Sequence, residues 1–477
     1  MLPKDLREFI QALSDHQELQ VIDQEVDWNL EIGAITRRGS ELSAPCPLFT
    51  NIKDYPGWRM FANSIAKWPR IALAMGMDYD ATPTAIITEY MHRMQRPIKS
   101  VQVSDGPCKE VKYLGDKVNL KALPVPFIHQ GDGGRYIGTW HFMVNKDPDS
   151  DWVNWGMYRQ MMHDEKTMGG LFIPTQHGPS IYYQKYEARN KPMEFATVIG
   201  ADPISSIVSA NPVGYGVSEV DIAGGILQRP IELVKCETVD LWVPANAEII
   251  LEGVVLPKER REEGPFGEYT GFMGGGRAPR PVYHVKAITH RKDPILTMSN
   301  MGMFFQDCDF STSLGVSAEL TKLLVQKGFP IRDVAYCVPQ GSMHLLTVST
   351  KVPYFGIAKQ IAAAVWGDKA GIYIPYVIVC DEDVDPTSMD EVIHDVVQKC
   401  HPVNGITVIP NMPGHPLTPF ITPYERQHSI NHFCLLDCTW PKDWLPEEVP
   451  GRISFEVNYP KEIQEKVLKN WHNYGYK

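Results

Sequence analysis

The sequence predicts a mixed α/β protein with three stretches of different texture. Residues 1–104 read as an α/β segment, 105–305 as a strand-rich segment, and 306–477 as a second α/β segment. Three observations carry this. Apolar residues recur at helical spacing near the amino terminus, short apolar runs are broken by Pro and Gly through the middle, and helix-like and strand-like runs alternate in the last third. At 477 residues the chain also exceeds one ordinary domain.

Leu6, Phe9, Ile10 and Leu13 fall at i, i+3, i+4 and i+7, one apolar stripe of a first helix. Residues 51–57, Asn-Ile-Lys-Asp-Tyr-Pro-Gly, have turn chemistry, and Pro83 to Met94 predicts a second helix. In the middle, residues 196–200 and 282–288 read as strands, and the regular Pro and Gly breaks suggest a barrel. Gly274-Gly275-Gly276 lacks the strand-to-helix setting of a phosphate loop and reads as a flexible connection. Met301, Met303, Phe304, Phe305 and Phe310 read as core before they read as a ring-binding surface.

The last third continues with a helix over Val316–Gln326, stopped by Gly328-Phe329-Pro330. Leu345–Val348 predicts a strand and Gly356–Trp366 an Ala-rich helix. Ile372–Cys380 is an apolar run suited to a strand buried on both faces of a mostly parallel sheet. Ser388 and Glu391 have capping-box spacing for the helix that follows. The segment from Phe455 through Trp471 is expected to dock on another domain or a second subunit.

Composition narrows the function. The chain is 43% hydrophobic and 22% charged, ordinary for a globular protein. Its 46 basic and 57 acidic residues leave a net charge of -11, which argues against nucleic-acid or membrane-surface partners. Nine cysteines are scattered without a CxxC pair, so they read as reduced, mostly buried thiols. With no secretion-signal layout at the start, the cytoplasm is the expected compartment.

The residues with most chemical promise are Glu263 and Glu268, which bracket a Gly-Pro-Phe-Gly turn. Pro265 and two glycines exclude a continuous helix, so the segment is a turn running into extended chain. Two carboxylates aimed at one pocket push their pKa values apart, leaving one charged and one protonated. A solvated surface turn is the competing reading. Arg159 lies among apolar and aromatic residues in Asn154–His163 and there needs a carboxylate partner, from Glu263, Glu268 or a ligand. His177 reads as a metal ligand, a phosphate contact or a hydrogen-bonded core residue, the last being the commonest for a lone histidine. Together Asn154, His177 and Glu219 would suit a divalent ion such as Mn²⁺, although their spacing does not bring them together. The acidic run Asp381–Asp385 lacks the glycine and terminal glutamate of an EF-hand and reads as structural, favoured by the helix dipole ahead of a helix start.

Taken in order, these segments resemble the UbiD family of prenylated-flavin-dependent (de)carboxylases. The resemblance rests on Asn154-Trp155 with Arg159, Gln176-His177, Ser218-Glu219, residues 244–253, residues 263–268 and residues 381–386. It implies a flavin-binding split β-barrel joined to a C-terminal α/β oligomerisation domain, with the active site between them. It implies a triad of Glu263, Arg159 and Glu268, and cofactor contacts from Asn154, Trp155, Gly156, Gln176 and His177. A divalent ion, usually Mn²⁺, would sit between the cofactor phosphate and Asn154, His177 and Glu219, with K⁺ held by backbone oxygens around Trp155 and Ser209.

In such enzymes the cofactor bonds to the substrate carbon that carries the carboxylate, CO₂ leaves, and an acid protonates that carbon. The resemblance makes Glu268 the donor, Arg159 the holder of a substrate carboxylate, and Glu263 the orienter. The expected partners are a carboxylic acid that is aromatic, heteroaromatic or conjugated, a flavin prenyltransferase as cofactor supplier, and further copies of the chain. Tyr269 and Gln176 are expected to line the pocket. The alternatives are a helper subunit of a larger carboxylase and a hydrolase with two acids. The sequence departs from the family at residues 427–439, where a Ser-Lys pair is missing its lysine, and no lysine can be assigned to the cofactor phosphate.

Overall fold

The computed structural model describes residues 2–476. Near the amino terminus, strands Leu19–Ile22, Cys46–Phe49, Arg59–Ala62 and Ile295–Met298 form a four-stranded sheet. Helices Leu6–Asp15 and Pro83–Met94 occupy the stretches read from the sequence, with Asp5 and Thr82 accepting the N–H of Glu8 and Ala85 as N-caps. Ile295–Met298 is contributed from far along the chain and pairs in parallel with Arg59–Ala62, tying the first segment to the middle one.

The middle is a nine-stranded antiparallel sheet around two long strands, Ile249–Glu263 and Ala278–His290. Its edges, Tyr136–Gly138 and Val153–Gly156, do not pair with each other, so the sheet is a barrel split along one seam. The sequence reading at 196–200 falls in Met193–Ile199, and that at 282–288 falls within Ala278–His290. Gly274 belongs to a short ribbon, Met273–Gly274 against Phe266–Gly267, while Gly275 and Gly276 beyond it are exposed.

The last segment is a five-stranded sheet in the order Ile331–Cys337, Leu345–Thr350, Tyr376–Asp381, Ile430–Cys438, Ile406–Pro413. Its three inner strands are parallel and both edges antiparallel. Several sequence expectations need correction here. The helix expected from Val316 begins at Asp307, because Gln306 and Asp309 cap it reciprocally and Asp307 accepts the Ile65 N–H. The strand expected from Ile372 begins at Tyr376, since Ile374 N–H closes a turn on Gly371. Ser388 caps its helix, but Glu391 turns to the Asp385 N–H and the box stays half-formed. Asp381 accepts from Lys399 and the Trp440 N–H, a structural pairing as read. The stretch 301–310 is not uniform core: Met301 and Phe310 are buried, whereas Met303 and Phe304 are exposed. No residue of helix Lys461–Lys469 is buried. No helix among the described residues is long and apolar enough to cross a membrane.

Candidate active site

A cavity of about 500 Å³ opens between the split barrel and the C-terminal segment. Its wall includes Asn154, Trp155, Gly156, Arg159, Gln176, His177, Ser209, Glu219, Glu268 and Tyr269 from the barrel side, and Lys369, Tyr373 and His415 from the C-terminal side. Residues far apart in sequence are thus brought to one space. Glu263 lies just behind the wall, against Arg159.

The two glutamates reach it for local reasons. At the end of the long strand Arg261 and Glu262 are exposed and Glu263 turns inward. Gly264 adopts φ +88°, a left-handed conformation that only glycine takes without strain, and the chain then enters the ribbon at Phe266. Asp132 holds that ribbon by accepting the N–H groups of Gly267 (2.8 Å) and His129 (3.0 Å). Arg159 forks onto Glu263, Nε to Oε1 at 2.9 Å and Nη2 to Oε2 at 2.8 Å, and its Nη1 donates to Glu268. Tyr136 adds a third hydrogen bond to Glu263 at 2.7 Å.

The environments of the two acids differ. Glu263 accepts three side-chain hydrogen bonds, two from Arg159 and one from Tyr136. Glu268 is buried and among the described side chains accepts only from Arg159; burial pushes its carboxyl above the ordinary glutamate range against the pull of Arg159, with Glu263 adding to the rise. Burial alone would lower the Arg159 pKa, but Glu268 and Glu263 together hold the guanidinium charged. The arrangement can therefore hold a cation against both acids and leave Glu268 able to carry a proton.

Gly274 faces Glu268 across the ribbon, and a Cβ there would lie 2.2 Å from Glu268 Cγ. A Gly274→Ala variant should fold yet displace Glu268. Misplacing a reacting group by about 1 Å can cost about 100-fold in rate. Turnover should fall by that order with an unchanged far-ultraviolet spectrum; full turnover would show that the position of Glu268 is not critical.

At the other end of the cavity, His177 opens the short helix His177–Ile181, and its Nδ1 lies 3.8 Å from Glu219 Oε1. Trp152 and Tyr215 meet its ring edge-on. Glu219 Oε2 accepts the Trp155 N–H at 3.2 Å. Asn154 is oriented by donation to Asn145 Oδ1 at 3.0 Å, and its own Oδ1 is buried without a partner. An orphaned carbonyl oxygen, a carboxylate and an imidazole on one wall form a donor set suited to a hard or borderline cation and to an anion bound through it. Gly156, expected at a cofactor, also gives room to Tyr158: a Cβ there would lie 2.1 Å from the Tyr158 hydroxyl.

Sequence reasoning missed four contributors. Lys369 donates to Val213 O at 2.7 Å and contacts His177 Nε2, and burial lowers its pKa to about 8. Tyr136, Asp132 and His415 were also overlooked. No signal marks them locally, since each is brought in by the fold. Residues 427–439, where the family lysine is missing, contribute nothing to the cavity wall, so that departure does not touch this pocket.

Comparisons with known proteins match nearly the whole chain. Family models described as the N-terminal, Rift-related and C-terminal domains of 3-octaprenyl-4-hydroxybenzoate carboxy-lyase match residues 10–90, 99–303 and 311–434. Pyrrole-2-carboxylic acid decarboxylase of Pseudomonas aeruginosa is 32% identical, covering 99% of this chain and 98% of its own. Among solved structures, the closed form of Sedimentibacter hydroxybenzoicus vanillic acid decarboxylase superposes with a TM-score of 0.88 at 30% identity, covering 98% of this chain and 99% of that one. An evolved dimeric form of the enzyme HmfF from Pelotomaculum thermopropionicum, in complex with prFMN, gives 0.82 at 27%, covering 94% and 97%.

Proposed function

We infer the function from one premise: this chain belongs to the UbiD family of carboxy-lyases. It is a flavin-dependent decarboxylase of an aromatic, heteroaromatic or conjugated carboxylic acid, able in principle to run in reverse as a carboxylase. The observation that carries this reading is the single guanidinium of Arg159 bridging two buried glutamates at the wall of a ring-sized cavity. A glycosidase-like hydrolase needs two acids that act from opposite sides of a bond, whereas here one arginine ties both together. A helper subunit has no use for such a triad.

Prenylated FMN, when bound, supplies an electron sink for the electrons that departing CO₂ leaves behind. Asn154, His177 and Glu219 would hold a divalent ion, Mn²⁺ being the expected one, against the cofactor phosphate. Lys369 would add a cationic contact to that phosphate, and Trp155, Gly156 and Gln176 would complete the cofactor wall. K⁺ would take backbone oxygens near Trp155 and Ser209, both of which line the cavity.

The remaining work falls to the triad. Arg159 orients the substrate carboxylate, and its grip is released when the carboxylate becomes neutral CO₂. Glu268 then passes its proton to the carbon that lost CO₂ and recovers one from solvent. Glu263, fixed by Arg159 and Tyr136, keeps the guanidinium aimed. The exposed apolar residues Val457 and Leu468 near the chain end suit burial against a second copy, so a homo-oligomer is the proposed working form.

The metal assignment has its own test. A Glu219→Ala variant, produced alongside a flavin prenyltransferase, should lose most bound divalent metal by elemental analysis and most flavin absorbance. Normal metal and flavin content would refute the assignment.

A further inference from the structure

Next to the ribbon that carries Glu268 lies a histidine with acceptors at both ring nitrogens. His129 sits in the loop between the 3-10 turn Leu120–Ala122 and strand Tyr136–Gly138. Its Nδ1 faces the Asp132 carboxylate, 3.3 Å from Oδ1 and 3.2 Å from Oδ2. Its Nε2 faces Met301 O at 2.8 Å and Asn300 Oδ1 at 3.3 Å. The Asn300 amide is oriented by its own Nδ2, which donates to Gly33 O at 2.7 Å, so Oδ1 is the atom turned to the ring. A neutral imidazole has one donor and one acceptor nitrogen; only the imidazolium donates from both. Whichever nitrogen of a neutral ring lacked the proton would turn its lone pair on an acceptor. Burial would lower the His129 pKa, but Asp132, through its hydrogen bond and its charge, and the Met301 and Asn300 acceptors raise it above the ordinary 6.5.

Three segments meet at this ring. The ribbon lies directly against it: a Cβ on Gly267 would stand 2.4 Å from His129 Nδ1, and the Phe266 ring meets the imidazole edge-on with centroids 6.2 Å apart. Asp132, its side chain fully buried, accepts the Gly267 N–H with the carboxylate that also faces His129. Residues 299–306 connect strand Ile295–Met298 to helix Asp307–Gln326 and give Met301 to the cavity wall. Arg37 of helix Glu31–Glu41 steadies that loop by donating to Asn300 O at 3.3 Å and Phe304 O at 2.6 Å. The charged group facing the ring is Asp132. The ribbon presents Phe266 and the Gly267 backbone, and the loop presents the neutral acceptors of Asn300 and Met301.

We propose that His129 is a positioning residue for Glu268. As an imidazolium it ties Asp132, and through Asp132 the ribbon, to the loop that carries Met301. When the ring loses its proton one of the two ties is lost, and Glu268 is no longer held where its proton reaches the substrate carbon. This rests on the reading of Glu268 as the proton donor of a decarboxylase.

Two measurements test it. Neutron diffraction from crystals of the unaltered protein in D₂O, at a pH near the ordinary histidine value of about 6.5, needs no variant and should show deuterium on both His129 ring nitrogens. Then kcat and KM for CO₂ release are compared between the cofactor-loaded parent and His129→Gln across the pH range in which histidine titrates. At the acid end the variant, with one donor left, should lose about tenfold in kcat, short of the roughly 100-fold that a 1 Å misplacement can cost. Its KM should change little, because Arg159, which holds the substrate carboxylate, is untouched. As pH rises through the folded-state pKa of His129 the parent loses its tie, and the ratio of parent to variant kcat should fall towards one. Ionisation of Glu268 acts on both proteins alike and cancels from that ratio. Deuterium on only one ring nitrogen, or a kcat ratio that stays constant with pH, overturns the proposal. Deuterium on both nitrogens in a protein that releases CO₂ from no acid would instead count against the decarboxylase reading.

Discussion

Replacing Arg159 with alanine is expected to cost about 3–5 kcal/mol of stability, the usual penalty for removing one partner of a buried ion pair. Two acids depend on this residue. Glu263 is fully buried at its side chain and takes two of its three side-chain hydrogen bonds from Arg159, and Glu268 takes its only one. Without the guanidinium, two neighbouring carboxyl groups face each other with Tyr136 as the remaining donor. Turnover should fall by at least about 100–1,000-fold, as when one preorganised donor is lost from an active site. Arg159→Lys should recover part of the stability and little of the activity, because one ammonium cannot fork onto Glu263 while also reaching Glu268. Denaturant melts and CO₂ release check both. An alanine variant as stable as the parent would mean that the two acids do not depend on Arg159 for their pairing.

Glu268→Gln should reduce decarboxylation by about 100–10,000-fold, the range expected for losing a positioned general acid. Flavin content should persist, since Asn154, His177, Glu219 and Lys369 are untouched. The same substitution has a thermodynamic signature. The folded-state pKa of Glu268 is raised above the ordinary glutamate value of 4.5. Its contribution to stability is therefore fully present below that value and is lost as pH rises through the folded-state pKa. Glutamine cannot ionise and escapes that loss. The melting temperatures of the variant and the parent should diverge from about pH 4.5 upward, with the variant gaining on the parent. Decarboxylation by the parent should decline as pH rises through the same folded-state pKa, because only the protonated acid can donate. A variant that loses stability relative to the parent at high pH would show that Glu268 is held as a carboxylate.

Much of the fold was legible because it follows from local patterns. The stripe of Leu6, Phe9 and Leu13 and the Thr82-Pro83 start define helices without outside help. The elements misread were those in which tertiary contacts override local signals. The helix begins nine residues before Val316 because Asp307 and Asp309 are both buried, Asp307 accepting from Ser64 and Ile65 and Asp309 pairing with Gln306 and Ser342. The apolar run at Ile372 looks like strand, but its first residues form the turn that carries Lys369 and Tyr373 to the cavity.

The site divides in the same way. Arg159 was legible because a charge among aromatic residues demands a partner, and the Glu-Gly-Pro-Phe-Gly-Glu turn supplied two. Tyr136, Asp132, Lys369 and His415 were not. A tyrosine, an aspartate, a lysine or a histidine in a loop carries no mark of what the fold will place beside it.

The most direct measurement is isotopic. Cofactor-loaded protein is incubated in D₂O with an aromatic acid that it decarboxylates, and the product is analysed for deuterium at the carbon that carried the carboxylate. The parent should release CO₂ and place one deuterium there, while Glu268→Gln, with its flavin spectrum intact, should do neither at a measurable rate. Deuterated product formed by Glu268→Gln at the parent rate would contradict the assignment of Glu268 as the proton donor.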